Sequence, residues 1–175
     1  MSNNKINTLI DEEHIKILFS IFKNQNANIR LVGGSIRDLL MNREIADIDS
    51  ATDLEPNEVL QLLKEHKIEY DDYAIRYGSI IAYPNNKKIQ ITSLREDINQ
   101  LGRHTSVLFT KDWKKDAARR DFTFNALYLG EDSKLYDYYN GQEDLQAKVI
   151  KFIGEIEDRI KEDYLRIYRY FRFLG

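Results

Sequence analysis

From Asp11 to Asn24 apolar residues fall at Ile15, Leu18, Phe19 and Phe22, a spacing that predicts an amphipathic helix. The pattern then changes. Ile29–Val32 is a short apolar run that predicts a buried strand, and Gly34–Met41 reads as the helix after it. Ile45–Ala51 predicts a second strand. Pro56 suits a helix start, where its missing N–H leaves nothing unpaired, and that helix runs to about Lys64. Gly78–Tyr83 and Lys88–Leu94, separated by Pro84-Asn85-Asn86, predict a hairpin. Alternation in the returning strand sends Ile89 and Ile91 to one face, Gln90 and Thr92 to the other.

Residues 95–118 are polar and irregular, with Lys111, Lys114 and Lys115 near Trp113. They read as a loop able to order over a bound substrate, running into a helix before Arg119. A strand at Ala126–Leu129, a turn around Gly130–Ser133 and a return through Leu135–Tyr139 follow, and helices over 142–147 and 155–173 close the sequence. Strands that alternate with helices yet are joined by hairpins give an α+β class: a mixed, mostly antiparallel sheet covered by helices, with a short helical segment after it. No internal repeat or low-complexity tract is present.

Composition narrows the setting. The 175 residues suffice for one domain or slightly more. With 42% hydrophobic and 31% charged residues this is ordinary soluble-protein chemistry. Cysteine is absent, which removes disulfides and thiolate metal sites and makes a cytoplasmic location the default. The start MSNNKINTLIDEEH lacks signal-peptide character, and no apolar run approaches membrane-spanning length, so no membrane association is expected. A net charge of −3 argues against blanket nucleic-acid binding but leaves room for a local basic cleft.

The densest chemistry lies in LVGGSIRDLLMNREIADID, residues 31–49. Asp47 and Asp49, one residue apart on a strand, would face the same side and offer two hard oxygen ligands to Mg²⁺. Gly33 and Gly34 let backbone N–H groups approach an anion at a helix start, and Arg37, one turn on, can reach a triphosphate held there. Separately, the glycines could be a tight turn and the aspartates a solvated strand; their fixed order, with Arg37-Asp38 between them, outlines a nucleotidyl-transfer site. Arg119-Arg120-Asp121 could be a solvated charge cluster or a phosphate grip in which one arginine holds phosphates while the other, or Asp121, buttresses it. Asn125 would fix that turn or meet a sugar hydroxyl. In the last helix, Glu162, Asp163, Arg166 and Arg169 recur at three and four, near one face. They form either surface ion pairs such as Glu162–Arg166 or an acceptor and a donor, Asp163 and Arg166, for a nucleobase edge, with Arg169 and Arg172 reaching its phosphates.

Taken together, LVGGSIRDLL, the Asp47-x-Asp49 pair, ITSLRED at 91–97, GRHTSV at 102–107, RRDFTFNAL at 119–127 and EDYLRIYRYFRF at 162–173 resemble the head and neck of class II tRNA nucleotidyltransferases, the family of CCA-adding enzymes and bacterial poly(A) polymerases. The resemblance spans roughly 29–173 and implies a palm-type nucleotidyltransferase head over 1–141 and a helical neck over 142–175, truncated before the family's body and tail domains. It implies that Asp47 and Asp49 hold Mg²⁺, that Gly34, Arg37 and Arg120 contact the incoming triphosphate, and that Asp163 and Arg166, beside Arg169 and Arg172, template the base of CTP or ATP. The loop around 95–112 would correspond to the family's flexible loop, which helps switch from CTP to ATP. The implied reaction is attack of an RNA 3′-hydroxyl on the α-phosphate, with tRNA or another RNA 3′ end as acceptor. Alternatives are a poly(A) polymerase-type head or a nucleotide-binding remnant that needs a partner chain for RNA. The sequence departs from the family at Gln90, where many relatives carry glutamate. It also carries Tyr164, Tyr168, Tyr170, Phe171 and Phe173 on its last helix, expected to dock on a missing region, a helical partner chain or a second copy.

Overall fold

Two helices, α1 (Ser2–Ile10) and α2 (Glu13–Asn24), precede the first strand in the computed structural model, which describes residues 2–101 and 104–174. α2 buries Ile15, Leu18, Phe19 and Phe22, as its periodicity requires. α1 has no counterpart in the sequence reading. Its three apolar residues Ile6, Leu9 and Ile10 carry too weak a pattern alone, and burial against the core makes the helix stable.

The chain continues through β1 (Ile29–Val32), α3 (Gly34–Leu40), β2 (Ile48–Thr52), α4 (Pro56–Glu65), β3 (Tyr70–Asp71), β4 (Ser79–Ala82) and β5 (Ile89–Ser93). Next come β6 (Arg95–Leu101), β7 (His104–Phe109), α5 (Trp113–Ala118), β8 (Leu127–Leu129), β9 (Leu135–Asp137) and α6 (Gly141–Gln146). The last elements are α7 (Ile156–Glu162) and α8 (Leu165–Leu174). Among the described residues seven strands form one sheet, ordered β3-β4-β5-β2-β1-β8-β9. Every neighbouring pair is antiparallel except β2 with β5, so the mixed, mostly antiparallel α+β architecture expected from the sequence is the one formed. One face of the sheet packs on α1 to α4 through a core that includes Leu31, Ile36, Leu63, Ile80, Ile89 and Ile91. The other face gathers Tyr128, Val32, Ala51 and Leu94, flanked by Trp113 and Tyr138. No described helix is long and apolar enough to cross a membrane.

Several sequence expectations change. The second strand begins at Ile48, not Ile45, so Asp47 precedes it and only Asp49 lies on it. β1 stops at Val32, paired with Asp49, and β5 starts opposite Ile48, so residues 45–47 have no ladder to join. Residues 95–101 and 104–109 form an antiparallel ribbon, β6 with β7, in the register Arg95↔Phe109, Glu96↔Leu108 and Asp97↔Val107, not a loop. A two-stranded ribbon outside the main sheet needs no apolar face, so its sequence lacks the alternation that would reveal it. Gly102 and Arg103, which open the GRHTSV stretch, lie outside the described residues. Gly78 seats the root of the ribbon: it has φ +82°, and a Cβ there would sit 2.7 Å from the ring of Phe109.

The single helix expected over 155–173 is two. Asp163 is extended (φ −153°, ψ 103°) and its Oδ1 accepts the backbone N–H of Leu165 at 2.9 Å, ending α7 and starting α8. Asp163, Arg166 and Arg169 therefore do not share one continuous helical face. Tyr170 and Phe173 are not free to dock elsewhere either: they pack on Phe122, Phe124 and Phe152. Tyr164, Tyr168 and Phe171 do point outward and remain largely exposed.

Candidate active site

β1 ends in Gly33, whose φ of +78° turns the backbone sharply into α3, a conformation costly for any residue with a Cβ. A Cβ on Gly33 would meet Arg120 Nη1 at 3.7 Å, and one on Gly34 would meet Arg37 Nη2 at 3.6 Å. These are ordinary contact distances, so two guanidinium groups lie close over the chain here while only the φ of Gly33 calls for glycine. With seven residues, α3 adds little dipole, so positive charge at this turn comes chiefly from those arginines.

The register Val32↔Asp49 sets Asp49 beside the same turn. Asp49 is half-buried and Asp47 exposed, with Lys88 Nζ at 3.9 Å from the latter. Burial raises the Asp49 pKa; the Arg120 charge pulls it down, the Asp47 charge pushes it up, and Lys88 pulls it down. Two adjoining anionic oxygens, one partly desolvated, suit a hard divalent cation. Among the described residues no group of three or more His, Cys, Asp and Glu could hold a metal ion. Two carboxylates form no all-protein cage, and an ion held by them would keep water or substrate oxygens in its shell.

Both aspartates line a cavity of about 590 Å³, and so do Gly33, Gly34, Arg37, Arg119, Arg120, Asp163, Arg166, Arg169 and Arg172. Every site residue expected from the sequence meets in this one space. The cavity also takes in Asp38, Arg95, Asp97, Asp121 and Asn125, giving seven arginines to six aspartates on its walls. A chain of net charge −3 thus concentrates cations where a polyanion would sit.

The cations are held in different ways. Arg37 donates to Asp38 through Nε and Nη2 at 3.0 and 2.8 Å, and to Asn125 Oδ1 through Nη1 at 2.9 Å. Asn125 donates in turn to Asp121 Oδ1 at 3.1 Å, so it fixes the turn. Arg119 and Arg120 both rest on Asp116, three and four residues before them on α5: Arg119 Nε lies at 2.8 Å and Arg120 Nη2 at 3.0 Å. Tyr128 donates its hydroxyl to the same carboxylate at 2.8 Å. Burial alone would raise the Asp116 pKa, but the Arg120 and Arg119 charges, with the bonds from Tyr128 and Arg119, hold it at about 2. Asp116 and Tyr128 escape a reading of the sequence; the signal for Asp116 is its i,i+3 and i,i+4 spacing to two arginines, disguised by neighbouring lysines.

On the α7–α8 side, Arg166 is buried, with Nη1 donating to Glu162 at 2.6 Å and to the Arg159 carbonyl at 2.9 Å. The ion pair weighed as a bland alternative in the sequence is therefore formed, yet Arg166 also lines the cavity. Arg159 ties this side to the sheet by donating to the Arg119 carbonyl at 2.8 Å. Asp163 Oδ2 accepts from Arg169 Nη2 at 2.8 Å. The Nε atoms of Arg166 and Arg169 are buried donors with no hydrogen-bond partner, Asp121 approaching the latter at 3.3 Å without the geometry of a bond.

With this geometry in place, likeness to known proteins becomes interpretable. Residues 29–151 match the family described as "Poly A polymerase head domain". The chain belongs to that family. It is 43% identical over 164 residues to the human protein "CCA tRNA nucleotidyltransferase 1, mitochondrial", covering 93% of this chain and 38% of the relative. The CCA-adding enzyme of Bacillus cereus (strain Q1) is 35% identical over 160 residues, 90% of this chain and 39% of that one. The crystal structure of Bacillus stearothermophilus CCA-adding enzyme in complex with CTP superposes with a TM-score of 0.81 at 30% identity, over 90% of this chain and 37% of that chain. The present chain thus spans about two-fifths of the length of the curated relatives it matches.

Proposed function

We propose that this chain is the nucleotide-transferring portion of an enzyme that adds C and A residues to an RNA 3′ end, with CTP and ATP as donors and tRNA as the leading acceptor. The observation that carries this reading is the meeting of two carboxylates, a double-glycine turn and an arginine-lined wall around one cavity of about 590 Å³. Likeness to a CCA-adding enzyme solved with CTP and to a tRNA nucleotidyltransferase solved with a primer tRNA and an incoming ATP analogue supports it. We divide the chain into a head over residues 1–141 and a helical neck over 142–175.

Asp47 and Asp49 would hold Mg²⁺, which when bound lowers the pKa of the attacking hydroxyl and neutralises charge on the triphosphate. Gly33 and Gly34 keep the backbone clear for phosphates while Arg37, Arg119 and Arg120 orient them. The RNA 3′-oxygen forms a bond to the α-phosphorus as the bond from that phosphorus to its bridging oxygen breaks. Pyrophosphate departs into the arginine wall and the hydroxyl proton passes to water. Asp163 accepts from, and Arg166 donates to, the edge of the base, with Arg169 beside them; all three side chains line the cavity. Arg172, exposed at the cavity rim, reaches a phosphate.

Action in the cytoplasm belongs to the same proposal, the mitochondrial designation of the human relative naming the organelle alternative. Tyr164, Tyr168 and Phe171, exposed on α8 and the turn before it, would dock a helical partner chain or a second copy.

Incorporation of labelled CTP and ATP into tRNA lacking its 3′ end tests the reading. Transfer of both nucleotides, dependent on Mg²⁺, is expected; ATP incorporation alone would turn it towards a poly(A)-type head, and neither would refute it. A second reading, a nucleotide-binding remnant, is favoured by one observation: Gln90, a neutral amide, lies in register beside Asp49 on β5. Binding of CTP with no transfer, unchanged on Gln90→Glu, would support that reading.

A further inference from the structure

Asp116 lines no part of the cavity, yet five hydrogen bonds from four residues end on its carboxylate. Its Oδ1 accepts from Arg119 Nε at 2.8 Å and from the backbone N–H of Arg95 at 3.3 Å. Its Oδ2 accepts from Tyr128 at 2.8 Å and from Arg120 Nη2 and Nε at 3.0 and 3.3 Å. Tyr128 also accepts from Arg120 Nε at 3.2 Å, and Trp113 closes over it edge-on at 5.5 Å between ring centroids. The side chain of Asp116 is essentially inaccessible, while those of Arg119 and Arg120 keep a narrow exposure, and both line the cavity.

Two consequences follow from this arrangement. An arginine free in solution loses considerable rotamer freedom when it grips a phosphate; one already fixed by a fork to a carboxylate has lost it before the ligand arrives. Arg120 is fixed in this way with Nη1 towards Gly33, 3.7 Å from where a Cβ there would lie. The Arg95 N–H belongs to the first residue of β6, so the same carboxylate also ties the root of the β6–β7 ribbon to the two arginines.

We infer that Asp116 is a positioning residue: through its carboxylate it aims Arg119 and Arg120 at the β- and γ-phosphates of the incoming nucleotide and locks that grip to the base of the β6–β7 ribbon. It touches no substrate itself. The inference rests on the nucleotide-transfer reading above and assigns that reading a group the sequence motifs do not contain.

The test is calorimetric binding of CTP and of CMP, with Mg²⁺ present, to the wild-type chain, Asp116→Asn, Asp116→Glu and Tyr128→Phe, well below each melting temperature. CMP lacks the two phosphates that the arginines are aimed at. Wild type is expected to prefer CTP strongly. Asp116→Asn should lose about tenfold or more of that CTP-over-CMP ratio, the scale of one misplaced charged hydrogen bond. Asp116→Glu keeps the charge and so the fold, but its extra methylene displaces both guanidiniums, so the ratio should fall there too. Tyr128→Phe leaves both arginine pairs in place and should keep the ratio within about twofold of wild type. A merely structural aspartate would lower the folded fraction and weaken CTP and CMP alike. An unchanged ratio in folded Asp116→Glu would overturn the inference even if Asp116→Asn does not fold. A wild-type chain with no preference for CTP would instead count against the nucleotide-transfer reading itself.

Discussion

On the sheet side of the cavity, Arg119 and Arg120 stand on a carboxylate that is 1% exposed; on the α7–α8 side, Arg169 is 38% exposed and its partner Asp163 equally so. The first pair of cations is held on Asp116, beside the core of the second sheet face, before any ligand binds. The second is a surface ion pair at a break between two short helices, worth little on its own. What holds the α7–α8 side in place lies behind it. Phe173 meets Phe122 and Phe124 edge-on, Tyr170 stacks on Phe152, and Arg159 reaches the carbonyls of Arg119 and Arg120. The contrast matches what each side would be asked to do. A triphosphate presents the same charge whichever nucleotide carries it, so a fixed grip serves; cytosine and adenine present different edges, so a reader whose ion-pair partners can exchange serves better.

The largest effect should come from the acids that neither side controls. Asp47→Ala or Asp49→Ala is expected to reduce nucleotide transfer by about three orders of magnitude or more, the scale of several kcal/mol of lost charge stabilisation. A urea melt should change by no more than about 0.5 kcal/mol, since neither carboxylate holds the core together. Equal loss of stability and activity would mean that they are structural.

The joint between the two sides comes next. Phe122 is fully buried and touches Phe124, Phe152, Tyr170 and Phe173. Phe122→Ala should cost about 3–5 kcal/mol in a denaturant melt and loosen α8 from the sheet. Base discrimination measured at low temperature should then degrade before triphosphate affinity does.

The Asp116 anchor has an acid signature. Its folded pKa of about 2 lies below the 3.8 of the free side chain, so the stability it contributes is full above about pH 4 and is lost as pH falls through about 2. That contribution is on the order of 2 kcal/mol. In paired acid titrations the stability difference between the wild type and Asp116→Asn should be constant above about pH 4 and shrink only below it.

The smallest effect is expected at the rim. Arg172 is exposed, its guanidinium stacked 5.0 Å from the Phe173 ring. Arg172→Ala should weaken CTP binding by less than about 1 kcal/mol, an effect that fades as salt is added.

How much of this was readable from residues alone depended on where the controlling interaction lay. The β1–α3 turn was legible because a glycine pair after an apolar run stands in fixed order with Arg37-Asp38 and the two aspartates, and the β4–β5 hairpin because Ile89 and Ile91 alternate with polar neighbours against a core. The start of β2 was not, because it depends on where β1 and β5 stop, a fact of pairing and not of residues 45–47. The α7–α8 break was hidden because helical periodicity runs on through Asp163, whose side chain alone interrupts it. Asp116 was hidden for the opposite reason: set among Lys114 and Lys115, it looks like a solvated charge, and only the fold turns it under Tyr128 and Trp113.

The central claim is that Asp47 and Asp49 and the arginine wall together hold a divalent cation and a triphosphate. Mn²⁺ titration followed by electron paramagnetic resonance, with and without CTP, tests it most directly. Tight Mn²⁺ binding that requires CTP in the wild-type chain, and that disappears in both Asp47→Ala and Asp49→Ala, is the expected result. Equal Mn²⁺ and CTP binding in the wild type and both variants would contradict it.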